Sequence, residues 1–158
     1  MELKINNIFN EFADGLVLVT AGNKDRFNTM TIAWGSLGTL WSRPICNVYV
    51  KGNRYTHEFM ENNDYFTVSF FDESYKTDMA ILGTKSGRDI DKVSLSSLTP
   101  IKEDNYVYFK EARYTLLLKK IYKHDFDINT IPQEIKEHYY STEPVHTMYV
   151  GEVIEIIK

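Results

Sequence analysis

Asn53-Arg54-Tyr55-Thr56 stands where a strand-like run, PICNVYV (44–50), gives way to a helical one, RYTHEFMENN (54–63). The first N–H groups of a helix lack intrahelical acceptors and lie at the positive end of its dipole. An anion placed there collects those donors together with the Thr56 hydroxyl and the Arg54 guanidinium. Charge-assisted hydrogen bonds contribute roughly 1.5–3 kcal/mol each, so a few of them anchor a phosphate. The same residues also suit a plainer arrangement, in which Asn53 caps the helix and Arg54 lies on the surface.

Two further stretches carry chemistry of a matching kind. In Asn28-Thr29-Met30-Thr31, with Trp34 and Ser36 beyond, strand alternation brings Asn28, Met30 and Trp34 to one face. An amide, a thioether and an indole on one face suit a flat ring with polar atoms on its edge, although Met30 and Trp34 taken alone read first as core residues. In Lys85-Ser86-Gly87-Arg88-Asp89-Ile90-Asp91-Lys92, a Ser-Gly pair lies among three cations. Such a loop closes over a phosphate or a ring edge, or stands as a solvated mixed-charge loop.

The elements that must position these residues are mostly strands. GLVLVTAG (15–22) and FNTMTIAW (27–34) flank a short polar turn and predict a hairpin. GSLGTLWSRP (35–44), with two glycines and a proline, predicts a bend or loop, followed by a strand over 44–51. A short helix over 54–63, a strand over 64–71 and a helix over 72–83 follow, the last closed by Gly83. Residues 83–100 predict loop with at most a helical turn. YVYF (106–109) and 112–124 are strand-rich and able to pair. Pro132 suits the first turn of a surface helix over 131–140. Residues 146–157 form a final strand in which Gly151 permits a bulge or a close approach. Many short strands and three short helices argue for an antiparallel barrel or sandwich rather than βαβ units.

Composition sets the frame. A chain of 158 residues, 43% hydrophobic and 25% charged, predicts one domain, 1–158, with a core that needs no metal or disulfide. Eleven tyrosines and nine phenylalanines supply strand formers and flat stacking surfaces. A net charge of −4 with no basic block disfavours nucleic acid as a partner. No apolar run approaches the ~20 residues that span a bilayer, and no signal peptide is evident, so the expectation is a cytoplasmic protein with no membrane partner. Cys46 is alone and reads as a small buried hydrophobe. Glycine-rich nucleotide motifs, HExxH and CxxC are missing, and four scattered histidines support no metal site. Asp125-x-Asp127-x-Asn129 starts like a calcium loop but has Thr130 and Lys136 where glycine and glutamate are required.

Taken in order, VTAG (19–22), FNTMT (27–31), Trp34-Gly35, Arg43-Pro44, RYT (54–56), Ser69-Phe70-Phe71, TKSGRDIDK (84–92) and HTMYVGEV (146–153) resemble the flavin reductase-like proteins, over about 15–157. The resemblance implies a mainly β fold: a homodimer of six-stranded antiparallel Greek-key split barrels with a few short flanking helices, and FMN near the subunit interface. It implies that Asn53, Arg54 and Thr56 hold the phosphate, that Asn28, Thr29, Met30 and Trp34 line the isoalloxazine, and that Lys85, Ser86, Arg88 and Lys92 close the site. Thr31, Ser36, Tyr55 and Gly87 complete the candidate set. Asn53 departs from the serine that many relatives carry before Arg-Tyr.

The implied activity is an NAD(P)H:flavin reductase in which NAD(P)H is a transient co-substrate and electrons pass onward to an acceptor. No catalytic side chain is then required, because the flavin carries the chemistry. The alternatives are a flavoredoxin-like FMN electron carrier working with an acceptor protein, and a non-catalytic FMN-binding module. His124 and His146 are expected to be structural or surface residues, with a place near the ring as the alternative.

Overall fold

The computed structural model describes residues 2–158. Strands β1 (Val17–Gly22), β2 (Phe27–Ile32), β3 (Gly35–Leu40), β4 (Arg43–Lys51), β5 (Tyr65–Phe70), β8 (Tyr114–Asp125) and β9 (His146–Ile157) form one antiparallel sheet in the order β2-β1-β5-β8-β9-β4-β3. Strands β6 (Pro100–Lys102) and β7 (Val107–Phe109) form a separate ribbon. Helices α1 (Ile8–Ala13), α2 (Tyr55–Asn62), α3 (Lys76–Thr84) and α4 (Gln133–Tyr139) flank the sheet.

The mainly β antiparallel fold agrees with the sequence reading, with one strand more than six in the main sheet. The extra strand is β3, which the sequence had marked as loop. Its residues contain two glycines and little β-branched bulk, so the strand owes its existence to the ladder with β4, from Gly35↔Val48 to Leu40↔Arg43. The hairpin turns on Trp41 and Ser42, both at positive φ (51° and 58°), as a two-residue turn matched to strand twist requires. That turn carries no glycine, which is why it gave no signal. Two other expectations change. Strand β7 pairs with β6 and not with β8, which is held between β5 and β9. Helix α1 was not anticipated; Asn7 caps it by accepting from the Phe9 N–H at 3.1 Å.

Every residue of β1 is buried because both of its faces are covered. Val17, Val19 and Ala21 join the main core with Phe66, Val68, Phe70, Leu116 and Leu118, while Leu18 packs on the other side with Phe71, Met79, Leu82 and Phe109. Cys46 is fully buried, and burial pushes its thiol pKa up, which leaves it inert. Gly151 allows the close approach its position suggested: a Cβ there would meet Phe66 Cζ at 2.7 Å and Leu118 Cβ at 2.8 Å. A register shift between Lys120 and Tyr122 on the facing strand lies opposite the same segment.

The sheet curls so that β2, at one end of its order, comes close to β4 and β9 near the other. Met30 and Thr31 from β2, Tyr49 and Lys51 from β4 and His146 from β9 border one cavity. Among the described residues no ladder joins β2 to β3 or β4. The helix that follows β4, α2, packs on β1 and β2 and lies across this seam.

Candidate functional site

The seam holds two adjoining cavities. The outer one, about 200 Å³, is bordered by β2 and its extension (Met30, Thr31, Trp34) and by Lys51, Arg54 and His146. The inner one, about 110 Å³, is bordered by Asn28, Arg54, Thr56, Lys85, Gly87 and Lys92. Met30 and Arg54 border both, so the two form one cleft with an aromatic outer end and a polar inner end.

The inner end is built around the start of α2. Arg54, not Asn53, is the N-cap residue, with extended backbone (φ −78°, ψ 139°), and no side chain caps the helix. The Tyr55 and Thr56 amides therefore remain available to an external acceptor, while the His57 N–H donates to the Arg54 carbonyl at 3.0 Å. Asn53, at the rim of the cleft, donates from Nδ2 to Glu143 Oε2 at 3.0 Å. Thr56 is buried, and its Oγ1 accepts from Asn28 Nδ2 at 2.8 Å, which leaves the hydroxyl proton free to donate into the cavity. Among the described residues Arg54 pairs with no carboxylate.

The loop after α3 closes the polar end. Lys92 is only 4% exposed, and its Nζ donates to the carbonyls of Leu82 (2.9 Å) and Lys85 (3.1 Å), which satisfies the carbonyl end of α3 and folds the loop back. Burial first, then the neighbouring Arg54 charge, lowers its pKa to about 8. The turn between them presses Gly87 onto Asn28; a Cβ at Gly87 would overlap the Asn28 side-chain oxygen. Ser86 Oγ accepts from the Arg88 N–H at 3.2 Å. Arg88 lies outside the cleft, paired with Glu58 at 2.5 Å and 5.0 Å from the centre of the Tyr55 ring.

The outer end is a half-open aromatic box. Trp34 is 44% exposed, with the rings of Tyr139 and His146 each 5.1 Å from it. His146 is buried and shares a 2.7 Å hydrogen bond between Nδ1 and the Tyr140 hydroxyl. Burial and the Lys51 and Arg54 charges lower its pKa to about 4, so it is neutral at pH 7. A neutral imidazole beside two cations can accept or donate a hydrogen bond without adding charge.

Of the residues singled out from sequence, Asn28, Met30, Thr31, Trp34, Asn53, Arg54, Tyr55, Thr56, Lys85, Ser86, Gly87 and Lys92 border the cleft. Thr29 and Ser36 do not. Thr29 points to the opposite face of β2, where its hydroxyl meets Thr20 Oγ1 at 2.8 Å. Ser36 lies on β3 and accepts from Asn47 Nδ2 at 2.9 Å. Sequence reasoning missed Tyr49, Lys51 and the Tyr139–Tyr140 pair, and gave His146 a place near the ring only as the alternative to a structural or surface role. The ladder pairs Lys51 with His146, so only the strand register brings them together. Among the described residues no cluster of three or more His, Cys, Asp or Glu side chains gathers for a metal, and no helix is long and apolar enough to cross a membrane.

The family model described as "Flavin reductase like domain" matches residues 9–157. No curated protein sequence matches. Among solved structures, the flavoredoxin of Methanosarcina acetivorans has a TM-score of 0.71 at 24% identity, over 100% of this chain and 75% of its own. An FMN-binding protein from Thermus thermophilus with bound 1-cyclohex-2-enone gives 0.72 at 19% identity, over 100% and 78%. The styrene monooxygenase flavin reductase of Pseudomonas putida S12 gives 0.66 at 16% identity, over 90% and 77%. At these identities the structures share the fold.

Proposed function

This chain belongs to the flavin reductase-like domain family, and from that membership we propose that it is an FMN-dependent oxidoreductase of the NAD(P)H:flavin reductase type. The observation that carries the reading is the single cleft whose polar end and aromatic end share Met30 and Arg54. A phosphate at one end and a flat ring at the other is the shape of FMN.

The donor set fits that ligand. Arg54, the Thr56 hydroxyl and the Tyr55 and Thr56 amides of α2 would hold the phosphate, with protonated Lys92 adding charge. Met30, Thr31 and Trp34 would lie along the ring, and Lys51 and His146 would reach its edge. The flavin, when bound, accepts a hydride and hands electrons on. The protein would bind and orient: the phosphate contacts would fix the ring, and the half-exposed Trp34 side of the cleft would leave room for a nicotinamide. No side chain is asked to act as general acid.

Mixing the protein with FMN, desalting it and adding NADH or NADPH without oxygen tests this. Retained flavin absorbance that bleaches at a catalytic rate supports a reductase. If the protein neither retains FMN nor reduces excess free FMN, the reading fails. The flavoredoxin likeness favours a second reading, an electron carrier between proteins; retained FMN that bleaches only with a reduced protein donor would favour it.

A homodimer belongs to the same proposal. Ile8, Phe9, Phe12, Trp34 and Leu37 border an apolar groove of about 530 Å³ next to the ring end of the cleft, and Phe9 is 81% exposed. A second copy seated there would cover this surface and shield the ring. Sedimentation at micromolar concentration should give twice the chain mass.

A further inference from the structure

The segment 126–145 joins β8 to β9 and carries α4. None of its residues is buried. Among the described residues its only backbone hydrogen bond to the sheet is at its base, from the Phe126 N–H to the His146 carbonyl at 3.0 Å. A stretch with so little buried surface opens at low cost and depends on its few side-chain ties.

Beyond Phe126, three of its side chains tie it to the cleft. The Tyr139 ring stands edge-on to Trp34 at 5.1 Å, and the Tyr140 hydroxyl shares its 2.7 Å hydrogen bond with His146 Nδ1. These two cover the ring end. The third, Glu143, rests on polar donors: its Oε2 accepts from Asn53 Nδ2 at 3.0 Å and lies 3.6 Å from Lys51 Nζ. The Asn53 hydrogen bond first, then the Lys51 and Arg54 charges, hold the Glu143 carboxyl below the ordinary carboxylate range, so it is an anion at neutral pH. Asn53 borders the inner cavity, Lys51 the outer one and Arg54 both. Glu143 therefore occupies, from outside, donors that an anionic ligand would engage from within. A phosphate that takes Asn53 and Arg54 removes the partner of Glu143 and faces it with a like charge.

We propose that Glu143 latches the segment 126–145 over the ring end by holding Asn53 and Lys51, and that a flavin phosphate displaces it, freeing the segment and uncovering Trp34 for the second reactant. The inference rests on the flavin reading of the cleft. The phosphate shifts the segment because it binds the unlatched form better than the latched one. Riboflavin, with no phosphate, has no such preference.

Hydrogen–deuterium exchange of the full chain tests this, with no ligand, with FMN and with riboflavin, in the native protein and in Glu143→Gln. The informative amides are Ile135, Lys136 and Tyr140, each hydrogen-bonded within α4. A helix of seven residues does not hold itself in water, so loss of the latch registers there. The Glu143 side chain is 46% exposed, and its isosteric replacement leaves the fold intact. The expected result in the native protein is exchange about fivefold faster with FMN and unchanged with riboflavin. Glu143→Gln should exchange at the faster rate with or without FMN, and fluorescence titration should show its preference for FMN over riboflavin increased. FMN that binds without speeding exchange overturns the proposal and leaves the flavin reading intact. Riboflavin that speeds exchange as much as FMN also overturns it, since the ring and not the phosphate then moves the segment. A variant that exchanges as the native protein does shows that Glu143 is no latch. Failure to bind either flavin removes the flavin reading itself, and the latch with it.

Discussion

The side-chain amide of Asn28 donates to the hydroxyl of Thr56 across 2.8 Å, joining β2 to the first turn of α2. Both residues are buried, so the bond is made away from water and decides which way the Thr56 proton points. Thr56→Val leaves the Asn28 amide without its acceptor, at a cost of about 1–3 kcal/mol. Urea unfolding should show that loss in the flavin-free protein, and FMN titration should show a further loss that riboflavin titration does not.

Among the described residues Arg54 is the only charged side chain that borders both ends of the cleft. Arg54→Ala should weaken FMN binding by roughly tenfold to a hundredfold, the equivalent of one or two charge-assisted hydrogen bonds. Riboflavin, lacking the phosphate, should bind the variant and the native protein alike. Equal losses for the two ligands would remove the phosphate from this end.

Lys92 gives the cleft a pH dependence with a definite sign. Its folded pKa of about 8 lies below the ordinary 10.5, so the flavin-free protein releases that proton while the unfolded chain still holds it. Stability of the flavin-free form should therefore rise with pH between about 8 and 10.5 and be flat below. A phosphate favours the charged amine, so FMN affinity should fall as pH rises past about 8, with riboflavin as the control. Lys92→Met should flatten both profiles.

His146 works in the opposite range. Its pKa falls from 6.5 to about 4 in the folded chain, so on acidification the unfolded chain takes up a proton first. The contribution is intact above about 6.5, declines as pH drops and is fully lost below about 4. Thermal unfolding of His146→Gln should show a shallower acid slope across that window. If the native and variant slopes coincide, the ring is not desolvated as its burial indicates.

What the sequence disclosed of the site follows the distance along the chain over which each part is built. Asn28, Arg54, Thr56 and Lys92 were readable because a strand face, a helix start and a loop are local objects with local signals. Lys51 and His146 were not, since 95 residues separate them and only the β4–β9 register places them side by side. Lys51 stood two residues ahead of Asn53 and passed as an ordinary strand end. The fold class was legible from alternation and aromatic content. The β3–β4 hairpin was not, because its turn uses Trp41 and Ser42 in a conformation that composition associates with glycine and asparagine.

The seam between β2 and the β4–β9 end of the sheet is closed by side chains and by α2, and among the described residues no backbone ladder crosses it. A ligand that touches Asn28 and Met30 on one lip and Lys51 and His146 on the other acts as a clasp. Its binding energy then falls on the least supported line of the molecule, and mass action converts occupancy directly into resistance to opening. Whatever fills the cleft is, mechanically, the last stave of the barrel.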